Sequence, residues 1–386
     1  MSNDRFLLIK AWSYILWADV EHVLGQLLIA ELTDRVPVVY WPTHCLHNGF
    51  VHTNGFELYF EPVSNYTIFD ISKPEYTYYP PVWDQDNLLI DDPDKETWVY
   101  RNIGDIMCSK ENVVIGDVYF DVYNLIPFIK KGHPAYGMTV RQIYSYLFKK
   151  YIRVKQDIEV EIQGFYNSWL RDDRPVLAVH VCGVDKNRVF SVKKSKEQSY
   201  KYNAKSYKKS KKDPMEKQIK VPRVGWKRKI LEPNQPYHEE IKKYIDKYNV
   251  KKLFLLTNSE EVLNEYQKKY GSILVNTECK RIPADAIPTL ENPMIKRRRG
   301  VEIIKDTYLA SKCDFFIGND FSSLSHAVTN IKDWPDSNVK LLYWKVWKKK
   351  YPINVEVIAR RESTNLFKRV AEILKNFFKK ITSFRN

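Results

Sequence analysis

Val176-Leu-Ala-Val-His-Val-Cys-Gly-Val-Asp-Lys186 is the stretch that decides how this chain is read. Five of its first six residues are apolar, and the run then breaks into Cys182, Gly183, Asp185 and Lys186. A strand buried on both faces of a parallel sheet has such a near-continuous apolar run, without the alternation of a half-exposed strand. In open α/β sheets the ligand crevice lies beyond the carboxyl ends of these strands. His180, Asp185 and Lys186 are therefore candidate site residues. The plainer reading makes His180 a hydrogen-bonded histidine inside the sheet, and Asp185 a turn residue paired with Lys186.

The chain downstream repeats the pattern. Residues 251–259, KKLFLLTNS, read as a strand. Thr257-Asn-Ser-Glu260 has capping-box spacing before a short helix closed by Gly271. A strand over 272–276 follows, then a helix within 297–313 carrying Val301, Ile304, Tyr308 and Leu309 on one face. Residues 314–320 make another strand, and 322–331 start the next helix. Alternating strands and helices imply a parallel sheet with crossover helices. Upstream, 6–17 is expected to be a first strand and its continuation, 19–33 a helix and 36–41 a strand. A Pro- and Tyr-rich stretch over 60–100, a strand-like run over 112–129 and a helical region over 139–170 complete the first half. The expected organisation is two Rossmann-like α/β domains facing a cleft. The first is expected over 1–150 and the second over 151–345, and 346–386 forms a terminal basic region.

The length, 386 residues, suits two domains of ordinary size, and 44% hydrophobic content supplies their cores. Glycine is scarce, 13 in all, where phosphate-cradling loops usually need it. Five cysteines, Cys45, Cys108, Cys182, Cys279 and Cys313, stand far apart with no CxxC pair. That argues against a disulfide framework or zinc ribbon and for a reducing, cytoplasmic location. The apolar run 6–17 is too short to span a bilayer and has no small-residue cleavage site.

Most of the net charge of +15 is local. Residues 191–230 hold 15 Lys and Arg against 3 Asp and Glu, which is +12 of the total. So few aliphatic residues stand there that an inserted loop is expected, either simply solvated or collecting an anionic partner. Nucleic acid is not the expected partner, because no nucleic-acid motif and no stacking platform accompany the charge. At the carboxyl end, Leu366, Val370, Ile373, Leu374, Phe377, Phe378 and Ile381 fall at helical spacing with five cations off the stripe. A helix docked on the core gives this pattern, and so does one lying on an anionic membrane; peripheral membrane contact through 366–381 is the expectation.

Three strand ends point one way in such a sheet: His180 to Lys186, Thr257-Asn-Ser259, and Gly318-Asn-Asp-Phe-Ser-Ser323 before a helix start. Ser322 and Ser323 can cap that helix or hydrogen-bond a diphosphate held by its free N–H groups. Lys296-Arg-Arg-Arg299, just ahead of another helix, is a solvated turn or the counter-charge of that diphosphate. In order and spacing, His180-Val, Asp185-Lys186, Thr257, Arg299-Gly-Val301, Asp306 and Phe321-Ser-Ser323 resemble the fucosyltransferase-like glycosyltransferases, of the core α-1,6 and nodulation types. The resemblance spans roughly 150–330. It implies a GT-B architecture, GDP-fucose held mainly by the second domain, inversion at the anomeric carbon and no metal. It also implies that Arg299, Asp306, Phe321, Ser322 and Ser323 hold the donor, with Arg298 of the basic run as a further candidate, while His180, Asp185 and Lys186 are the catalytic candidates at the matching strand end.

The departures from that pattern are specific. Cys182 and Gly183 replace the family's paired, phosphate-holding arginines, and Asn258-Ser259 replaces its acidic pair. Phe190 falls where a glutamate is expected, and Trp17-Ala-Asp-Val-Glu-His22 lacks the family's loop glycines. An inverting transfer needs a base for the acceptor hydroxyl and charge or N–H donors for the leaving diphosphate. Asp185 is the first candidate base, with Asp19 or Glu21 as the alternative. Two other readings stand beside this one. The acidic pairs in 83–87 and 91–94 resemble the DxD of metal-dependent glycosyltransferases. Loss of the arginines suits an inactive glycan- or membrane-binding module on the same fold.

Overall fold

The computed structural model describes residues 5–12, 15–42, 50, 53–89, 102–181, 234–279, 281, 292–320 and 322–342. Cys182, Gly183, Asp185, Lys186, Phe190, the insertion 191–230, Phe321 and the terminal stretch 346–386 lie outside them. Apart from Leu342, the described residues belong to one compact unit, Met1–Leu341. Among them no helix is long and apolar enough to cross a membrane.

The first half is built on β1 (Phe6–Lys10), α1 (Leu16–Leu32), β2 (Val36–Tyr40), the two-residue β3 (Tyr78–Tyr79) and β4 (Val113–Gly116). They form a parallel sheet in the order β2-β1-β4-β3. Every residue of β1 is buried. Successive side chains point to opposite faces, and Phe6 and Leu8 accordingly join one apolar cluster with Ile68, Ile71 and Trp83. Leu7 and Ile9 join another with α1. The expected continuation of the first strand to residue 17 does not form: β1 ends at Lys10 and α1 begins at Leu16. Helical packing wins there, because α1 buries Leu16, Trp17, Val20, Val23, Leu24 and Leu27. The strand-like run 112–129 is likewise cut at Gly116, and a turn of helix, Val122–Leu125, starts from an Asp121 cap whose side chain accepts from Tyr123 N–H.

Two helices connect the halves, α2 (Val140–Tyr151) and α3 (Gln156–Trp169). α2 opens on a full capping box, Thr139 with Gln142. The second half then runs β5 (Val176–His180), α4 (Gln235–Tyr248), β6 (Lys252–Leu256), α5 (Glu260–Tyr270), β7 (Leu274–Val275), α6 (Pro293–Lys312), β8 (Phe315–Asn319), α7 (Ser323–Ile331) and β9 (Val339–Leu342). The sheet order is β7-β6-β5-β8-β9. β5 pairs parallel with both β6 and β8, in the α/β class expected from the sequence. The α5 cap is Ser259, whose Oγ accepts from Val262 N–H at 3.3 Å, not Thr257, whose hydroxyl holds Ser259 N–H at 3.2 Å. α6 begins earlier than the basic run: Asn292 caps it and Pro293 leads, so Lys296 to Arg299 lie inside its first two turns.

α6 packs along α3, and the basic run explains the register. Arg297 reaches Asp157 at 2.7 Å, Arg298 reaches Glu161 at 2.7 Å, and Lys305 lies 3.7 Å from the same glutamate. Two acids on α3 thus offset cations placed against the helix dipole. Gly300 is dictated by the first half: a Cβ there would meet the Tyr59 ring at 2.4 Å. Tyr59 is fully buried, so it has little room to yield. We expect Gly300→Ala to lower stability by roughly 1–3 kcal/mol through overpacking, against a gain of about 1 kcal/mol in helix propensity. Denaturant unfolding measures the balance; an unchanged or raised midpoint would show that Tyr59 moves aside.

Candidate functional site

A parallel sheet whose strand order reverses has a crevice at the carboxyl ends of the two strands flanking the reversal. In the second sheet those strands are β5 and β8, and in the first they are β1 and β4. α7 leaves the end of β8 and α1 follows the end of β1, so both helices start at such a reversal. The two helices pack on one another. The candidate site is the seam where their first turns meet.

On the β5 side stands His180. Its Nδ1 lies 2.8 Å from Ser325 Oγ, and that oxygen accepts Asn319 N–H at 2.9 Å. Ser325 is fully buried, and its hydroxyl pairs with His180 Nδ1 inside the fold. Burial pushes the imidazole pKa down to about 4, so the ring is neutral near pH 7. His180 clasps β5 to the first turn of α7. Ser322 is the helix N-cap residue by position, with its N–H on Asn319 O at 3.1 Å, yet its side chain makes no cap hydrogen bond. Ser322 and Ser323 are half-buried at a helix end whose N–H groups and dipole suit an anion. His180 thus contacts, through Ser325, the same helix start that carries Ser322 and Ser323.

Asp306 lies elsewhere, beside the carboxyl ends of β6 and β7. Its Oδ1 accepts the Thr277 hydroxyl at 2.5 Å, and burial lifts its pKa to about 6 against the pull of Thr277 and Arg281. Arg281 braces the same turn by donating to Thr277 O at 2.9 Å and Cys279 O at 3.2 Å. Arg298 faces α3 in the pairing described above, and Arg299 is half-buried one residue before Gly300. Of the sequence candidates, Asp185, Lys186 and Phe321 fall outside the described residues.

The first half contributes Glu21. Asp19, the other carboxylate suggested there, is 1% exposed and its Oδ1 holds Trp12 N–H at 2.8 Å, tying the β1–α1 turn. Glu21 instead faces α7, with Oε1 3.9 Å from His326 Nδ1. Burial is the first cause that raises its pKa, Asp121 adds to it, and the charge of His326 lowers it. His326 Nε2 sits 2.9 Å from Asp320 O, at the end of β8. Sequence reasoning missed His326; the signal was there, one turn after Ser322-Ser323 on the same helix start. Trp17, also missed, closes the seam with Phe148 and Tyr308 at ring distances of 6.3 Å and 6.5 Å.

The acidic pair in 83–87 has a turn role: Asp84 Oδ1 accepts Asp86 N–H at 2.9 Å and Asn87 N–H at 3.1 Å. Among the described residues no group of three or more His, Cys, Asp or Glu is placed to hold a metal ion. Residues 91–94 lie outside the description.

Neutral His180 makes stability pH-dependent. Its folded pKa of about 4 is depressed from 6.5. Its contribution is present above pH 6.5 and lost as pH falls toward 4, because the unfolded chain binds the proton first. The limit is roughly 3 kcal/mol. His22, also buried and down to about 4, acts the same way, while Asp306, raised to about 6, acts oppositely. Unfolding of wild type and His180→Asn at a series of pH values isolates the one group, since the others are common to both. The stability gap should be wider at pH 7 than near pH 4.5; a constant gap contradicts the neutral assignment.

No family model matches the chain, and no curated protein matches it in sequence. Solved structures do match. A NodZ alpha-1,6-fucosyltransferase soaked with GDP-fucose has a TM-score of 0.51 at 14% identity, covering 85% of this chain and 92% of that one. The same enzyme co-crystallised with GDP gives 0.51 at 14% identity, over 84% and 91%. A fucosyltransferase NodZ from Bradyrhizobium gives 0.50 at 14% identity, again over 84% and 91%. The chain therefore has the fold of the GT-B fucosyltransferases.

Proposed function

We propose that this protein is a glycosyltransferase that moves a sugar, fucose in the first instance, from GDP to a hydroxyl of a glycan or glycolipid, with inversion and without a metal. The observation that carries the reading is the fold shared with an enzyme soaked with GDP-fucose, combined with an anion-suited helix start at the point where strand order reverses. In this reading 1–150 forms the acceptor side and 151–345 the donor side. The diphosphate lies at the first turn of α7, held by its N–H groups, Ser322, Ser323 and, from beyond the described residues, Phe321. Arg299, Lys186 and the basic insertion supply cations in place of the missing arginine pair. Asp306, kept by burial close to half-protonated near pH 6, belongs to the nucleoside end. His180 positions α7 rather than moving a proton, and Asp185 is a base candidate outside the described residues.

Binding to the native state alone raises the unfolding midpoint, by about 2.7 kcal/mol of stability at a hundredfold excess over Kd. GDP and GDP-fucose should therefore stabilise the full chain in the presence of a chelator. Removing one donor to a charged ligand costs roughly 1.5 kcal/mol or more, so Ser323→Ala and Arg299→Ala should each weaken GDP about tenfold. Unaltered affinity in both variants would remove the donor-site assignment, and a shift that appears only with Mn²⁺ would favour the metal-dependent reading. The absence of any nucleotide shift would favour the binding-module reading.

We also propose contact with an anionic membrane surface through 366–381, which the apolar stripe and five cations in the sequence support. Deleting 364–386 should release the protein from phosphatidylserine vesicles; retention would assign the stretch to the core.

A further inference from the structure

Glu21 and His326 belong to different halves of the chain, Glu21 in the second turn of α1 and His326 in the first turn of α7, where the two helices meet at the seam. Both side chains reach solvent, at 22% and 36% exposure, so a hydroxyl can enter between them. The gap of 3.9 Å from Glu21 Oε1 to His326 Nδ1 is too long for a direct hydrogen bond. It borders a cavity of about 10 Å³, room for one water-sized group, shared with Trp17, Ser323 and Asn330. Trp17 is 3% exposed, and its Nε1 has no hydrogen-bond partner. The Asp320 carbonyl, 2.9 Å from Nε2, can only accept, so the neutral ring carries its proton on Nε2. Nδ1 is left as a bare acceptor facing the gap. This is the arrangement of a base oriented by a carbonyl on one side and backed by a carboxylate on the other.

We propose that His326 is the general base of the transfer and Glu21 the residue that positions and stabilises it. The inference rests on the glycosyltransferase reading. The attacking hydroxyl gives its proton to His326 Nδ1 as its oxygen bonds to the anomeric carbon. The bond from that carbon to the diphosphate breaks, and its electron pair leaves with the diphosphate. Glu21 faces the imidazolium that results. The geometry suits this order, because Ser323, at the proposed diphosphate end, lines the same cavity. The charged and titratable groups around the pair are Asp121, Tyr119 and Tyr144 beside Glu21, and Asp320 beside His326. They share its electrostatics, so binding and turnover are measured separately at one pH.

The test uses the full chain, GDP for binding and GDP-fucose with water as acceptor for turnover, read as GDP release. His326→Ala should keep GDP affinity within about twofold while GDP release falls by roughly 10²-fold, the usual scale of general-base loss. Added imidazole should restore part of that turnover. Glu21→Gln should lower kcat with KM for GDP-fucose unchanged. Retained GDP release in His326→Ala, or a loss that imidazole leaves untouched while GDP still binds, overturns the base assignment and leaves the glycosyltransferase reading standing. A wild-type chain that neither binds GDP nor releases it from GDP-fucose overturns that reading, and the inference with it.

Discussion

The arrangement depends on one packing event, the burial of Trp17 against Phe148 and Tyr308. Trp17 starts α1 in the first half, Phe148 lies on the connecting helix α2, and Tyr308 lies on α6 in the second half. Phe148 and Tyr308 are themselves 6.2 Å apart, and Trp17 also meets Phe60 at 6.3 Å. Large aromatic surfaces dominate the energetics of such contacts. They make a single apolar cluster of residues from β1, α1, α2, α6, β5 and β8. Each parallel sheet needs helices on its faces, and here α1 and α7 cover their own sheets while covering each other. The carboxyl ends of both sheets are consequently brought to one seam, with ionisable groups at its rim and apolar groups below.

That constraint explains why polar residues at the seam have separate duties. Buried polar groups must be hydrogen-bonded, and the most deeply buried ones are spent on architecture. Asp19 holds the turn before α1, Ser325 links β8 to His180, and His180 stays neutral. The half-exposed ones, Glu21, Ser322, Ser323 and His326, lie at the rim where a ligand can reach them. Burial thus sorts residues that hold the architecture from residues that a ligand can reach, and chain position alone does not.

Much of the second half was legible in the sequence, because its strands are short apolar runs followed by helices with clear stops. VLAVHV and DFFIGND located β5 and β8 to within a residue, while 251–259 overran β6 at its carboxyl end, because Thr257 and Ser259 turn into the cap of α5. The first half was less so. Residues 11–17 are as apolar as a strand, and only the tertiary demand for a buried helix face separates β1 from α1. The basic run before Gly300 looked like a turn, because its acidic partners Asp157 and Glu161 lie about 140 positions away in sequence and on another helix. His180 meets the helix that follows the two serines, through Ser325. The motif order could not reveal the Glu21–His326 approach, since no spacing rule relates residues 305 positions apart. The arginine pair's replacements, Cys182 and Gly183, remain a sequence observation, outside the described residues.

The central claim is that a nucleotide diphosphate occupies the seam between β5, β8 and the first turn of α7. Amide hydrogen exchange of the full chain, with and without saturating GDP, tests it directly. The account predicts slowed exchange over 176–181 and 315–326, with a weaker effect around Asp306. Protection confined to 78–89 or spread evenly, with those segments unchanged, would contradict it.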